Sequence, residues 1–385
     1  MIYSCFMSPI SKLTRIGLFC FGLTLFLVLG ASTIPWTQEQ PRAAVTDLSI
    51  SLEEFGRYVE QWSETEGYFD SDNFLSNETS YLHVVDQLKR QVKPGGVYLG
   101  VGPDQNFSYI VHTRPVLAII TDIRRQNMLE QLWYKAVFAM ASNRLEYVSL
   151  LLSREPPRAP PNSSLEQILR AVRASGTSEK LFQKNLAAVK DLLVDKYRLK
   201  LSATDLSKVD YIYRTFWSAG LNLRFSSIGR NNALNYPTLE DMLLETDRQG
   251  RLQSYLSSEQ LFQQLKTFEA EHRLIPIVGD FAGSSALKAV GAFLKQKGLR
   301  TSMFYTSNVE FYLFSSPAWP RFVANLRALP LADDAVFIRS YFGNGRWHPL
   351  NVPGHRSTSV VKPMIPFLAD YDARRVDEYW DIVKP

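Results

Sequence analysis

Residues 116–121 read Val-Leu-Ala-Ile-Ile-Thr, an apolar run with no alternation. A strand of this kind cannot leave one face in water. It belongs inside a parallel sheet that helices cover on both sides. The flanking pattern agrees. Residues 97–101 form a short apolar strand before it. Leu129, Leu132, Trp133, Ala136, Val137 and Met140 follow at helical spacing. The arrangement recurs over 273–342, with strands expected at 274–278, 301–306 and 335–341. Ala286, Val290, Phe293 and Leu294 mark a helix between the first two, closed by Gly298. Alternating strand and helix predict an α/β fold built on a mostly parallel sheet.

The stretch Glu155-Pro-Pro-Arg-Ala-Pro-Pro161 interrupts this pattern, because proline ends regular structure. Helical spacing resumes beyond it, with Leu165, Ile168, Leu169 and Val172 on one face. Residues 151–230 therefore read as a helical insertion between two halves of one sheet. Residues 51–93 read as helical. The expected organisation is an N-terminal segment over 1–36, a linker and helices over 37–94, an α/β domain over 95–345, and a tail over 346–385 packing on it.

Residues 16–34 carry no charge and are mostly apolar. Nineteen such residues approach the ~20 that a membrane-spanning helix needs, and also suit a signal peptide. Lys12 and Arg15 precede them. The positive-inside rule then places the N-terminus in the cytoplasm and the body beyond the membrane. Gly30 and Ser32 fit a cleavage site poorly, so an uncleaved anchor is preferred to a removed signal. The expected localisation is membrane-anchored with an extracytoplasmic body, or exported.

The net charge is +5. Lys12 and Arg15 supply two of these charges, leaving a weak excess of +3 that does not indicate nucleic-acid binding. Cys5 and Cys20 are the only cysteines, so the body holds neither a disulfide nor a thiolate nucleophile. No pair among the five histidines has metal-ligand spacing. A phosphate-binding Walker loop and a Gly-x-Ser-x-Gly elbow are both absent.

Four motifs fall at expected strand ends. Tyr98-Leu-Gly-Val-Gly-Pro-Asp-Gln-Asn106 places Gly100 and Gly102 where backbone can approach a ligand closely. Asp122 ends the next strand, 22 residues after Gly100, at a spacing suited to ribose hydroxyls. It suits a helix cap equally. Val278-Gly-Asp-Phe-Ala-Gly283 places Asp280 and Phe281 after the third strand. Tyr305-Thr-Ser-Asn-Val-Glu310 places Asn308 and Glu310 after the fourth, where the motif by itself reads first as a solvated loop. Open α/β sheets bind ligands at this edge, so a small-molecule ligand is expected.

The order of these motifs resembles class I S-adenosylmethionine-dependent methyltransferases. Residues of roughly 75–345 more closely resemble an uncharacterised bacterial family with that Rossmann-like fold. That likeness rests also on Tyr236-Pro-Thr and Thr246-Asp-Arg-Gln-Gly. The resemblance implies S-adenosylmethionine as cofactor. It puts Gly100, Gly102, Asp104 and Asn106 in the cofactor loop, Asp122 on the ribose, and Asp280 and Phe281 beside the adenine. Asn308 would lie near the transferring methyl group, with Glu310 as a second catalytic candidate. Two positions depart from the pattern: Tyr98 stands where an acid is usual, and Asp104 where a third glycine is usual. Two other readings stay open. One is an extracytoplasmic binding protein that reuses the fold without catalysis. The other is a nicotinamide-dependent oxidoreductase with Arg124 or Arg125 on a 2′-phosphate.

Overall fold

The computed structural model describes residues 48–385 except residues 161, 228–235, 315 and 344. Residues 1–47, and with them the apolar segment, lie outside the described residues. No described helix is long and apolar enough to cross a membrane.

Six strands form one sheet: β1 (Val97–Gly100), β2 (Leu117–Asp122), β3 (Leu274–Val278), β4 (Thr301–Ser307), β5 (Leu331–Tyr341) and β6 (Thr358–Pro363). Their spatial order is β3-β2-β1-β4-β5-β6. The first five run parallel and β6 pairs antiparallel with β5. The protein is thus an α/β fold with a Rossmann-like sheet. The order reverses between β1 and β4, the switch point where such sheets bind ligands. Strands β1 to β3 are buried at every position, as their unbroken apolar sequences require. The expected C-terminal tail does more than pack on the domain: it supplies β6. Its short Thr-Ser-Val-Val core carries too little periodicity to reveal a strand.

In chain order the α-helices are α1 (Leu52–Gln61), α2 (Val85–Gln91), α3 (Gln105–Thr113), α4 (Arg125–Met140), α5 (Arg144–Leu151), α6 (Leu165–Ala174), α7 (Glu179–Asp191), α8 (Ala203–Ala219), α9 (Leu239–Leu243), α10 (Glu259–Ala270), α11 (Ala286–Lys297), α12 (Val309–Leu313), α13 (Ala318–Ala328), α14 (Met364–Asp372) and α15 (Tyr379–Val383). Gly298 ends α11 in the left-handed conformation, φ +66°.

Helix α4 shows what the insertion does. It packs on β2 and β3, and α7 and α8 of the insertion pack on it in turn, as do α5 and α10. Asn127, Glu130, Gln131 and Lys135, which would face water on an uncovered helix, are therefore buried. The Lys135 ammonium is compensated by Glu269 of α10, 3.2 Å away.

The expectation of helix across 51–93 holds at its ends only. Between α1 and a short 3-10 turn at Tyr81–Val84 the chain is extended or bent. The sequence 66–73 contains Gly67, Asp70, Ser71, Asp72 and Asn73, residues whose small or polar side chains favour turns over helix.

Candidate ligand cleft at the switch point

The extended segment between α1 and β1 crosses the carboxyl edge of the sheet as a strap. Glu64 N donates to Val278 O (2.9 Å) and Gly67 N to Ile123 O (2.8 Å). Arg124 Nη1 donates to Ser71 O (2.9 Å) and Asp72 O (2.6 Å). Further along, the Glu78 carboxylate accepts from Ser307 and Ser340, at the ends of β4 and β5. The strap is thereby tied to four of the five parallel strands or the turns after them.

A cleft of about 900 Å³ lies between the strap and the sheet edge. That volume is in the range that holds a drug-sized ligand. The strap lines it with Tyr68, Phe69, Asn73 and Glu78. The strand ends line it with Gly102 and Gln105, Asp122 and Arg124, Asp280 and Phe281, and Ser307 and Asn308.

Five residues expected at the site therefore meet there: Gly102, Asp122, Asp280, Phe281 and Asn308. Gly102 has φ +83°, which a side chain would strain. Asp122 Oδ1 accepts from Arg124 N (2.9 Å) and Nε (3.0 Å), and Oδ2 from Nη2 (2.7 Å). The ribose and cap readings of Asp122 thus meet a third role: it neutralises a buried guanidinium. Asp280 Oδ1 accepts from Ala282 N (2.9 Å), which shapes the turn after β3. The Phe281 ring packs on Phe304 at 4.8 Å, so it presents only part of its surface to the cleft.

The other four expected residues do not line the cleft. Asn106 Nδ2 donates to the carbonyls of Val101 (2.9 Å), Gly102 (3.3 Å) and Pro103 (2.7 Å), and its Oδ1 accepts from Tyr98 (2.7 Å). It staples the turn from within. Gly100 is required by that staple, since an added Cβ would collide with Asn106 Oδ1 and the Tyr98 ring. Tyr98, in the place of the usual acid, is thus part of the turn's scaffold.

Asp104 is directed to the Tyr255 hydroxyl (3.4 Å), and burial raises its carboxyl to about 6. Glu310 is wholly buried, pairing with Arg339 Nε (2.7 Å) and Nη2 (2.8 Å) and accepting from Thr306 Oγ1 (2.8 Å). Arg339 Nη1 also holds the Ile382 carbonyl (3.2 Å), so the pair fastens α15 to the sheet.

Sequence reasoning missed Glu78, Gln105, Ser307 and Arg356, all on the cleft. Glu78 is buried; burial raises its carboxyl, opposed by hydrogen bonds from Ser307 and Ser340. Ser307 has φ +55°, in the left-handed region that a serine seldom adopts. Gln105 Nε2 donates to Tyr305 (2.9 Å), while its buried Oε1 has no partner. Arg356 stacks over Tyr236 at 5.1 Å. Ser307 lies inside the quoted Tyr305–Glu310 motif, a signal available beforehand. Glu78 lies 229 residues from Ser307 in the chain and carries no local signature.

Sheet order, switch-point cleft and covering strap define a Rossmann-like α/β protein with a strap across the carboxyl edge of its sheet. The chain belongs to the family described as "Domain of unknown function (DUF7790)", whose model matches residues 73–379. No curated protein matches the chain.

Proposed function

We propose that the cleft binds a small cationic ligand of the S-adenosylmethionine class, on a methyltransferase-like fold held at or beyond a membrane by residues 1–36. The observation that carries this reading is convergence. Gly102, Asp122, Asp280, Phe281 and Asn308, drawn from four strand ends, line one cleft at the switch point.

Charge and ring content support the same class. The cleft lining holds Asp70, Asp122 and Asp280 against Arg124 and Arg356, and Arg124 is already spent on Asp122. Aromatic faces such as Tyr68, Phe69 and Tyr312 add sites that attract a cation. Gln105 Oε1 is a buried acceptor without a donor, suited to an ammonium or amide group. Asp122 Oδ2 accepts one hydrogen bond in the structure and has room for another, enough for one ribose hydroxyl. When bound, S-adenosylmethionine would supply a sulfonium methyl group. Asp122, Gln105, Asp280 and Phe281 would hold and orient it, and the strap would exclude water.

The commitment of Asp122 to Arg124 and of Glu310 to Arg339 favours a second reading, a ligand- or partner-binding protein that reuses the fold without catalysis. Calorimetric titration of the full chain with S-adenosylhomocysteine separates the two. Micromolar binding, about −8 kcal/mol, is expected for the first. No binding at millimolar ligand overturns it in favour of the second. A reporter fused after Pro385 tests the membrane arm. Activity confined to the cytoplasm would overturn the extracytoplasmic placement and restore access to a cytoplasmic cofactor.

A further inference from the structure

Most buried acids of the described residues are paired: Asp205 with Arg125 and Asp247 with Arg251 are two cases. Asp122, Glu269 and Glu310 each have a cation close by: Arg124, Lys135 and Arg339. Glu78, Asp104 and Glu130 form no ion pair among the described residues. Asp104 and Glu130 lie away from the cleft, each bonded to a tyrosine hydroxyl. Glu78 alone of the three lines the cleft.

The surroundings of Glu78 are built. Its two oxygens accept from the hydroxyls of Ser307 and Ser340, on neighbouring strands. Ser307 reaches it through a left-handed backbone, φ +55°, a conformation that costs energy and persists where the surroundings enforce it. The other titratable groups facing Glu78 are four phenols, Tyr98, Tyr109, Tyr305 and Tyr379. Burial pushes all four well above the ordinary tyrosine range, so they are neutral at physiological pH. No positive charge among the described residues pairs with the carboxylate, and burial therefore favours its protonated form.

We propose that Glu78 and Ser307 form a proton-handling pair for the cleft, in which Ser307 presents to the ligand a hydrogen-bonding polarity set by Glu78. Ionised Glu78 accepts from Ser307, and Ser307 then turns lone pairs to the cleft. Protonated Glu78 can donate to Ser307 Oγ, and the Ser307 hydroxyl hydrogen is then free to donate to the ligand. A proton leaving a bound amine or hydroxyl can pass to Ser307 Oγ as the serine proton passes to the Glu78 carboxylate. The matching ligand group is an amine or hydroxyl that gains or loses a proton. The pair rests on the cleft being a ligand site, as proposed above, but not on the ligand being S-adenosylmethionine.

Infrared spectroscopy of the full chain tests this without any ligand. The expected result, across a pH series, is a protonated-carboxyl carbonyl band that persists above the ordinary glutamate range and that Glu78→Gln removes. Ser307→Ala should shift that band and slow its response to D2O, because Ser307 links Glu78 to the cleft. Ser340→Ala should shift the band and leave the exchange fast. If Glu78→Gln does not fold, the two serine variants still decide. A pH series without a carboxyl band that responds to Ser307→Ala overturns the pair. A band whose exchange ignores Ser307 does so too. Added S-adenosylhomocysteine keeps the readings separate. Calorimetric binding with an unchanged band overturns the pair, whereas absence of binding overturns only the cofactor reading.

Discussion

Asp122 and Arg124 form a bidentate pair at the carboxyl end of β2, with Nε 3.0 Å from Oδ1 and Nη2 2.7 Å from Oδ2. Both side chains are nearly inaccessible to water. The pair joins the strap to the sheet, because the same guanidinium holds the Ser71 and Asp72 carbonyls. Removing one partner of a buried pair costs more than removing both, since a lone charge is left desolvated. Asp122→Ala is expected to lower stability by about 3–5 kcal/mol. Adding Arg124→Met should restore much of that loss. Urea denaturation of the two variants measures the coupling. Equal destabilisation by the single and double changes would show that charge pairing is not what holds this corner.

Glu310 is expected to matter for stability and not for the ligand. Its carboxylate is enclosed by Arg339 and Thr306, away from the cleft. Glu310→Ala strands Arg339 and should cost about 3–5 kcal/mol in denaturant unfolding. Affinity for S-adenosylhomocysteine, measured where the variant remains folded, should stay within about twofold, a difference below ~0.5 kcal/mol. A tenfold loss of affinity in a folded variant would return Glu310 to the site.

These two acids show where sequence reading reached and where it stopped. Strand ends were legible, because buried parallel strands are apolar runs and the residues after them follow at once. Asp122, Asp280 and Asn308 were found for that reason. Which way a side chain turns at a strand end was not legible. Asp104, Asn106 and Glu310 also follow strand ends, and their partners Tyr255, Tyr98 and Arg339 decide that they face inward. Glu78 lay further out of reach: its partners arrive from β4 and β5, and no local pattern encodes that meeting. The strand β6 was missed for a related cause. An edge strand of six residues ending in Pro363 has neither length nor alternation to declare itself.

The staple at Asn106 yields a prediction about the glycine loop. Asn106→Ala leaves the carbonyls of Val101 and Pro103 without that donor and the Tyr98 hydroxyl without its acceptor. Unsatisfied buried polar groups cost about 1–3 kcal/mol each. A fall in thermal midpoint is expected, together with faster proteolysis at the turn 101–105. Gly100→Ala should resemble it, because the added methyl group displaces the same side chain. Should both variants melt with the parent, the turn is held by something other than this staple.

Acid should unfold the protein through three half-buried histidines. His83, His112 and His272 are each lowered to about 4, in every case first by burial. His83 is disfavoured further by His355, His112 by Lys89, and His272 by Lys135; the carbonyl of Gln253 opposes the shift at His112. In the unfolded chain these rings protonate near the ordinary value of about 6.5. Between those values the unfolded state binds more protons, so this stability is present above about 6.5 and is lost as pH falls toward 4. His272→Asn should flatten part of that slope, and asparagine tolerates the left-handed φ of +58° found there. Denaturant midpoints of parent and variant across this range provide the measurement. Parallel slopes would remove His272 as a contributor.

Asp104 should act in the opposite sense. Burial raises its carboxyl from the ordinary 3.8 to about 6, with the Tyr255 hydroxyl opposing the shift. A raised acid binds its proton more tightly in the folded state. The favourable term is therefore complete below about 4 and disappears as pH rises through 6. At neutral pH the parent carries an ionised carboxylate where solvation is poor. Asp104→Asn removes that charge and keeps an oxygen for Tyr255. The variant should match the parent near pH 4 and exceed it in stability near pH 7, with the two curves separating between those values. Urea midpoints at the two pH values decide the matter. A variant less stable at neutral pH would mean that the Asp104 carboxylate is stabilised by a partner the fold does not show.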